Sequence, residues 1–428
     1  MPGIGQSLRY GLPGFTLAFA ALPLYLLTPA LYAQQFGLSL GLIGVLLMLT
    51  RLADAIADPF IGRWIDQSTQ SLWLWMSGGL IVMALGLGLL THPTLVLDRA
   101  GHSTVEFSLW LVGCTLIVSL ANSTATLAHQ SWAVAWTAEI AGQSRLIGAR
   151  ELCGLIGVIS AAAIAGQQSG GLLGLIAVIS AVLVIAASFG LRFIGSRASP
   201  PSGRPQVAWP TLLRQAKLRE LLGTMGINAL ANAIPPTLIL FFLQDYLGAT
   251  ANQASGLLAA YFIAAAAAIP IWSWAAHRFS AKMVWITAMS IAVIAFGFTL
   301  SLDQDGLLAF AAICLITGMV LGAELVCPPI LLGRRIDRER HRGTLEASYF
   351  GLWNLVIKLA LALAAGLTLP ILSGLEYQPG ISSPENNLSA LQWAYAGIPI
   401  ALKCIAIAAL WRFHDDGSAP QPTSRSHE

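Results

Sequence analysis

Charged side chains are scarce in this chain. Lys, Arg, Asp and Glu together make up 10% of its 428 residues, whereas a soluble domain usually has about 25%. Hydrophobic residues make up 56%, and the mean hydropathy is +0.72. Water cannot be the solvent for most of such a surface, which excludes an ordinary soluble protein.

Sequence patterns of catalysis and cofactor binding are also few. The chain has no H-E-x-x-H zinc motif and no G-x-x-x-x-G-K-[ST] phosphate-binding loop. Its cysteines lie singly in apolar runs, so we expect them to be reduced core residues. They are Cys114, Cys153, Cys314, Cys327 and Cys404. A membrane-embedded enzyme is therefore the least supported hypothesis, and we expect no cofactor.

Long apolar runs, in contrast, recur along almost the whole chain. A helix of about 20 residues crosses about 30 Å of hydrocarbon. We predict such helices at residues 10–33, 39–64, 72–92, 106–131, 146–166, 171–194, 217–242, 255–276, 284–302, 307–333, 345–374 and 389–412. The expected fold class is an all-α membrane protein with about twelve transmembrane helices.

The basic residues indicate how these helices are oriented. An even number of helices puts both termini on one side, and nearly all loop Lys and Arg fall on that side, Arg99 excepted. Cytoplasmic loops carry such an excess, so we predict cytoplasmic termini in a bacterial inner (plasma) membrane. The basic residues of this side are Arg9, Arg63, Arg145, those from Arg192 to Arg219, Arg278, Lys282, those from Arg334 to Arg342, Arg412 and Arg425. Topology therefore explains them without a nucleic-acid partner.

One polar segment divides the chain into two halves. It reads GSRASPPSGRPQVAWPTLLRQAKLRE, and six predicted helices precede and follow it. We predict an N-terminal bundle at 1–194, a linker at 195–216, a C-terminal bundle at 217–413 and a tail at 414–428. This layout resembles the major facilitator superfamily, whose substrate site lies between the halves near the bilayer midplane. We expect a monomer.

Predicted helix two contains a pair of carboxylates. Asp54 and Asp58 are four residues apart and share one helical face, with Arg51 one turn before them. Burying a charge near the bilayer centre costs at least about 2.5–3.5 kcal/mol, so such residues need partners or a function. Two adjacent carboxylates can bind a monovalent cation or share a proton. The alternative is a structural salt bridge with Arg51 or with a lysine of helix eleven.

Helix eleven carries Lys358 deep within its apolar run, at roughly 18 Å from either end by the helical rise. We expect Asp54 or Asp58 to be its partner, which would connect the two halves. Arg150 in helix five is shallower, and it could contact either substrate or Glu151. Glu324 and Lys403 are single charges that could pair or face a cavity, and we assign them no role.

The remaining substrate candidates are polar or aromatic residues of helices four and eleven. His129 is more simply explained as a packing residue than as a proton relay. The tryptophans could be interface anchors or pocket walls. The candidate substrate-binding residues are Arg150, His129, Gln130, Trp132, Trp353 and Asn354.

Four segments resemble one family of carriers. The segments YGLPGF and LADAIADPFIGRWID resemble the first two helices of the glycoside-pentoside-hexuronide:cation symporters, the melibiose permease family. The resemblance implies that Asp54 and Asp58 are cation-site aspartates. The stretch ILLGRRIDRERHRGTLEASYFGLWNLVIK resembles the family's helix ten to eleven segment, and AEIAGQSRLIGARE its helix four to five junction. Through these matches the resemblance implies a gate motif at Asp337, Arg342 and Glu346, a coupling lysine at Lys358 and a sugar-site arginine at Arg150.

The departures from this family concern the sugar site. The carboxylates that the relatives carry in helices one and four are missing, with Ala18 and the stretch STATLAHQSW in their places. A buried sugar hydroxyl without a partner costs about 1–3 kcal/mol, so an ordinary sugar is disfavoured. Ala57 stands where sodium-using relatives often have asparagine, which favours the proton. The apolar pocket also resembles that of the animal lysolipid symporters.

These observations predict a secondary transporter. We expect a symporter that couples a proton or a sodium ion to a sugar or another small organic solute by alternating access. The alternatives are a carrier of lysolipids or other amphipathic solutes and a proton-antiport exporter. The loop after helix two, with Gly62, Arg63 and Asp66, occurs in both symporters and exporters and is included in the gate motif.

Overall fold

A computed structural model describes residues 2–22, 24, 28–97, 103–165, 170–192, 209–303, 306–375, 377 and 387–413. All regular elements in these ranges are helical. We number the helices α1 to α12. The first six form the N-half: α1 in two pieces (Ile4–Leu22 and Thr28–Phe36), α2 (Leu40–Gln67), α3 (Leu72–Thr91), α4 (Thr104–Trp136), α5 (Ile140–Ala165) and α6 (Gly170–Ser188).

The other six form the C-half. They are α7 (Ala216–Phe241), α8 (Ala251–Arg278), α9 (Ala281–Thr299), α10 (Leu307–Arg338), α11 (Glu346–Gly374) and α12, which consists of Leu388–Gln392 and Ile398–Arg412. Single π-helical turns, Phe242–Tyr246 and Trp393–Gly397, extend α7 and join the two pieces of α12. A short helix, Trp209–Leu212, precedes α7.

The predicted fold class is confirmed, and most helix ends differ from prediction by a few residues. The predicted helix at 10–33 begins earlier and is divided into two helical pieces, and α4 continues to Trp136. The predicted domain boundaries stay predictions. Most of the predicted linker, the tail and Arg99 lie outside the described residues.

Eight of the described helices are long and apolar enough to span a membrane: α3, α4 and α7 to α12. Of the other four, α1 has two pieces and α6 has a shorter apolar stretch, Leu175–Leu191. Charged residues interrupt the remaining two, α2 and α5. Length and apolar composition therefore do not by themselves identify these four helices as membrane spans. The four nevertheless pack alongside helices that do qualify.

The two halves meet mainly through α2 with α11 and through α5 with α8 and α10. Their closest contacts lie at the end of the bundle that carries Arg63, Arg145 and Arg342, which we call the basic end. A Cβ atom on Gly62 would lie 2.2 Å from the carbonyl oxygen of Ala347, and one on Gly148 would lie 2.5 Å from Ser273 Oγ. Glycine is required at residue 62 because the backbones of α2 and α11 cross there at contact distance, whereas the atom nearest Gly148 belongs to a serine side chain.

Two details bear on the sequence-based expectations. Cys114, Cys153, Cys314 and Cys327 are buried, but Cys404 is exposed on α12, so the expectation of a core position was wrong for that residue. The segment GLSLG at residues 37–41, which fits the G-x-S-x-G pattern of serine hydrolases, forms the turn before α2 and the first two residues of that helix. There Ser39 accepts a hydrogen bond from the Leu42 amide and caps the helix, as serine commonly does.

Candidate functional site

A buried cluster of charges lies where α2, α4 and α11 meet. Lys358 Nζ is 2.8 Å from Asp54 Oδ2 and 2.8 Å from Asp58 Oδ2. Lys358 also donates to Ser123 Oγ at 2.7 Å, and Ser123 donates to Asp54 Oδ1 at 2.7 Å. We call Asp54, Asp58, Ser123 and Lys358 the coupling cluster. It joins the N-half to the C-half by direct ion pairs.

Burial makes these ion pairs consequential. Asp54 is 4% exposed and Asp58 is fully buried. Each carboxylate would be strongly destabilised in an apolar interior without a cationic partner. Lys358 is paired with both of them. The structure thus shows the helix-eleven lysine in contact with the aspartates.

The charge count of the coupling cluster suits a cation. Two carboxylates and one ammonium leave a formal excess of one negative charge if all are ionised. Oxygens of Asp54, Asp58 and Ser123 converge on the position of Lys358 Nζ. Hard cations prefer oxygen ligands. A monovalent cation could therefore replace the ammonium if Lys358 moved away. Among the described residues, no group of three or more His, Cys, Asp or Glu could hold a metal.

Close backbone packing positions the cluster. A Cβ atom on Gly351 would lie 2.6 Å from the carbonyl oxygen of Asp58. The missing side chain lets α11 approach α2 at this level. Lys358 follows two turns later on α11, and its side chain reaches both aspartates. Small residues at a helix crossing thus bring the charged groups into contact.

The predicted gate residues lie at the basic end. Asp66 accepts hydrogen bonds from the amides of Ala347 and Ser348, at 3.2 and 2.7 Å, and so satisfies donors in the first turn of α11 from the other half. Gly62 lies one turn earlier at the contact with Ala347, and half-buried Arg63 follows it. The N-half is thus bonded to the helix that carries Lys358.

The other gate residues form the turn between α10 and α11. Arg342 binds Asp337 through two nitrogens, with Nη2 to Oδ2 at 2.6 Å. The amide of Gly343, at a φ of 76°, donates to the buried carboxylate of Glu346. These contacts fix the path of the chain into α11. The structure therefore brings the gate residues together.

The substrate candidates of the N-half face other protein groups. Arg150 Nε donates to Glu151 Oε1 at 2.9 Å. His129 Nε2 lies 2.7 Å from the carbonyl oxygen of Tyr10, and Tyr10 OH donates to the carbonyl of His129 at 2.6 Å. Trp132 is 1% exposed and packs against Tyr10 and Trp136. The contacts seen for these three side chains are therefore packing and pairing contacts.

The remaining candidates lie between the halves or in the C-half. Asn354 Nδ2 donates to Gln130 Oε1 at 3.2 Å, which is a second polar contact between α4 and α11. Trp353 packs against Phe350 and borders a cavity of about 230 Å³ in the C-half. Of the six substrate candidates, Trp353 is the one that lines this cavity.

A second charged cluster lies inside the C-half. Lys403 Nζ contacts Glu324 Oε1 at 2.5 Å, Asn232 Oδ1 at 2.7 Å and Asn228 Oδ1 at 3.2 Å. Asn232 Nδ2 donates to the other oxygen of Glu324. We call these four residues the Glu324–Lys403 cluster. Sequence reasoning noted the two charges without a role and missed both asparagines and Ser123. Polar residues within apolar helices, such as NALAN and NSTAT, were the available signal.

Comparisons with known proteins agree with this architecture. The family model described as MFS/sugar transport protein matches residues 9–416. A sodium-dependent lysophosphatidylcholine symporter 1 from Homo sapiens is 28% identical over 156 residues, which span 35% of this chain and only 28% of that protein.

Solved transporters share the fold at low identity. A bacterial homologue of the iron transporter ferroportin, in an outward-facing state, superposes with a TM-score of 0.72 at 14% identity, covering 96% of this chain and 99% of the other. The transporter FucP, in the outward conformation, gives 0.68 at 15% identity, covering 96% and 98%. The chain belongs to the MFS/sugar transport protein family, and it is a multi-pass membrane transporter rather than an enzyme.

Proposed function

We propose that the protein is a cation-coupled symporter of a small organic solute, with the coupling cluster as its cation site. One observation carries the proposal: Lys358 from one half is held between Asp54 and Asp58 of the other. A buried carboxylate pair that holds a lysine ammonium can exchange it for a sodium ion or a proton. The resemblance of α2 and α11 to the melibiose permease family supports the same assignment.

Alternating access would follow from this exchange. The closest contacts between the halves lie at the basic end, which the positive-inside rule places in the cytoplasm of a bacterial inner membrane. We therefore take this state to be open to the outside. A cation that replaces Lys358 would release an ion pair joining α2 to α11. The halves could then rock about a bound solute.

An amphipathic solute is favoured over a sugar by one observation. The larger C-half cavity, of about 530 Å³, is lined mostly by apolar side chains such as Leu243, Phe262 and Phe296. A sugar needs a polar partner for each buried hydroxyl. The human relative is named as a symporter of a lysophospholipid, which supports the same class here.

The test is uptake in proteoliposomes under separate sodium and proton gradients. An amphipathic lysolipid and a disaccharide would serve as labelled solutes. One gradient should raise uptake, and Asp58→Asn should abolish that increase while insertion and folding persist. Uptake by Asp58→Asn that still follows the gradient would overturn the coupling assignment. Uptake that rises when the gradient is reversed would identify a proton-antiport exporter instead.

A further inference from the structure

The Glu324–Lys403 cluster is fully paired within the protein. The three N–H donors of Lys403 meet Glu324, Asn232 and Asn228, and both oxygens of Glu324 are occupied. The side chains of Lys403 and Glu324 are only 6% and 5% exposed. A buried ion pair is weak evidence for stability, because apolar residues of similar volume often replace one without loss. Stability alone therefore does not account for a charged pair in these apolar surroundings.

Those surroundings include a large cavity. Glu324, Lys403 and Asn232 line the cavity of about 530 Å³, which lies among α7, α8, α9, α10 and α12. Pockets that bind organic ligands usually have about 300–1,000 Å³ and a mostly apolar lining with a few convergent polar groups. The cavity extends to Pro236 and Leu240, which are exposed, so a solute could enter there.

The helices around this cavity are irregular at the level of the cluster. Pro235 and Pro236 lie inside α7 one turn after Asn232, and Pro399 lies one turn before Lys403 in α12. The π-helical turn that ends at Gly397 directly precedes that proline. Such turns frequently occur at functional sites.

From this geometry we propose that the Glu324–Lys403 cluster binds the head group of a net-neutral, zwitterionic amphipathic solute, whose apolar part occupies the cavity. A zwitterion can offer an anionic group to Lys403 and a cationic group to Glu324, so the pair opens without an unpaired buried charge. A solute with one charge would leave either Glu324 or Lys403 without a partner, at a high cost. The inference rests on the proposed transport of a small organic solute.

A second cavity lies between this site and α11. The cavity of about 230 Å³ is bordered by Asn232 and Glu324 on one side and by Trp353 and Ile357 of α11 on the other. Ile357 directly precedes Lys358. A head group bound at the Glu324–Lys403 cluster would therefore border the same cavity as the helix that carries the coupling lysine.

The test measures binding in lipid nanodiscs without any ion gradient. Four octyl probes share one apolar tail: octylphosphocholine is zwitterionic, octyl sulfate anionic, octyltrimethylammonium cationic and octyl glucoside uncharged. Binding is corrected for partition into empty nanodiscs. Octylphosphocholine should bind the wild type at least about tenfold more tightly than the two singly charged probes, which is about 1.4 kcal/mol.

Two single variants should change the relative binding affinities of the charged probes in opposite directions. Glu324→Gln leaves Lys403 charged and should favour octyl sulfate, whereas Lys403→Gln leaves Glu324 charged and should favour octyltrimethylammonium. The double variant Glu324→Gln/Lys403→Gln should lose the discrimination. It also serves if a single variant fails to fold, because it leaves no charge unpaired. The control is Lys217→Gln with Glu220→Gln, which removes a more exposed pair outside the cavity and should keep the wild-type order.

The proposal would be overturned if the wild type and the double variant ranked the four probes in the same order of affinity. It would also be overturned if the wild type bound octyl glucoside more tightly than octylphosphocholine. These results concern the solute site alone. The coupling assignment is tested separately, by the uptake experiment, and it would be wrong if Asp58→Asn retained gradient-driven uptake.

Discussion

At the scale of single residues, Lys358 makes the ion pairs that connect the two halves. Its ammonium lies 2.8 Å from each of two buried carboxylates that belong to the opposite half. Such a position makes one side chain responsible both for neutralising charge and for connecting the halves. The two tasks can be separated by removing charges singly and together.

We expect Lys358→Met to destabilise the protein in the absence of cation by about 3–5 kcal/mol, because two buried carboxylates lose their partner. Asp58→Asn/Lys358→Met should recover part of this loss, since only Asp54 then remains charged. The measurement is chemical unfolding in a lipid environment at neutral pH and low sodium.

Sodium provides the second readout for these variants. If the coupling cluster binds sodium, added sodium should stabilise Lys358→Met more than the wild type, because the ion no longer competes with the ammonium. The double variant should lose most of this response. Equal sodium responses in all three proteins would contradict sodium binding at Asp54 and Asp58.

At the scale of elements, the contact of α2 with α11 depends on the absence of a side chain. A Cβ atom on Gly62 would lie 2.2 Å from the Ala347 carbonyl, a backbone atom that cannot rotate away. Overpacking of this kind costs about 1–3 kcal/mol. The cost falls on the state in which the basic end is closed.

Gly62→Ala should therefore favour opening at the basic end and reduce uptake by about tenfold or more. In a Cys404→Ser background, a cysteine introduced at Ser348 should react faster with a membrane-impermeant thiol reagent when Gly62→Ala is also present. Gly78→Ala is the matched control, because nothing lies within 4 Å of a Cβ atom there. Equal reactivity in both variants would show that α2 and α11 accommodate the methyl group without separating.

The turn between α10 and α11 contains a group that responds to pH. Burial lowers the pKa of His341 below its ordinary value, with Glu339 opposing this shift and Arg335 adding to it. Between the two pKa values the unfolded chain holds more protons at His341 than the folded chain. Its contribution to stability is thus fully present above about pH 6.5 and is lost as the pH falls through the folded pKa.

His341→Gln should consequently narrow the fall in Tm between pH 8 and pH 5. At the higher pH the imidazole is neutral in both states, so a comparison there isolates the loss of the contact between His341 and Tyr349. An acid-induced fall in Tm of the same size in the variant would assign that fall to other groups.

At the scale of the whole molecule, orientation follows from where the basic residues lie. The basic end includes Arg338, and the opposite end includes Leu95, and both side chains are exposed. Arg338→Cys should be protected from an impermeant thiol reagent in intact cells and labelled in inverted vesicles, whereas Leu95→Cys should show the reverse. Labelling of both from the same side would contradict the predicted topology.

The contrast between the two halves also belongs to this scale. In the N-half, α1 and α4 are joined by the two hydrogen bonds between Tyr10 and His129. In the C-half, the corresponding helices α7 and α10 border cavities that contain the Glu324–Lys403 cluster. The proposed solute site is consequently asymmetric, with its chemistry in one half and its coupling ion at the contact between both.

The sequence by itself determined the membrane environment, the helices and the presence of charges that need partners. Apolar runs of sufficient length and isolated charges within them are local properties, so Asp54, Asp58 and Lys358 could be identified from the chain alone. Their pairing was expected mainly because few other cations lie deep enough.

Only the tertiary structure decided which polar groups meet. Gln130 and Asn354, Asp66 and the first turn of α11, and Glu324 and Lys403 are far apart in the chain and are brought together by helix packing. Cavities likewise depend on how helices diverge, for which no local pattern exists. His129 was a candidate because of its residue type, and its contact with Tyr10 depends on the position of α1 against α4, which the sequence does not specify residue by residue.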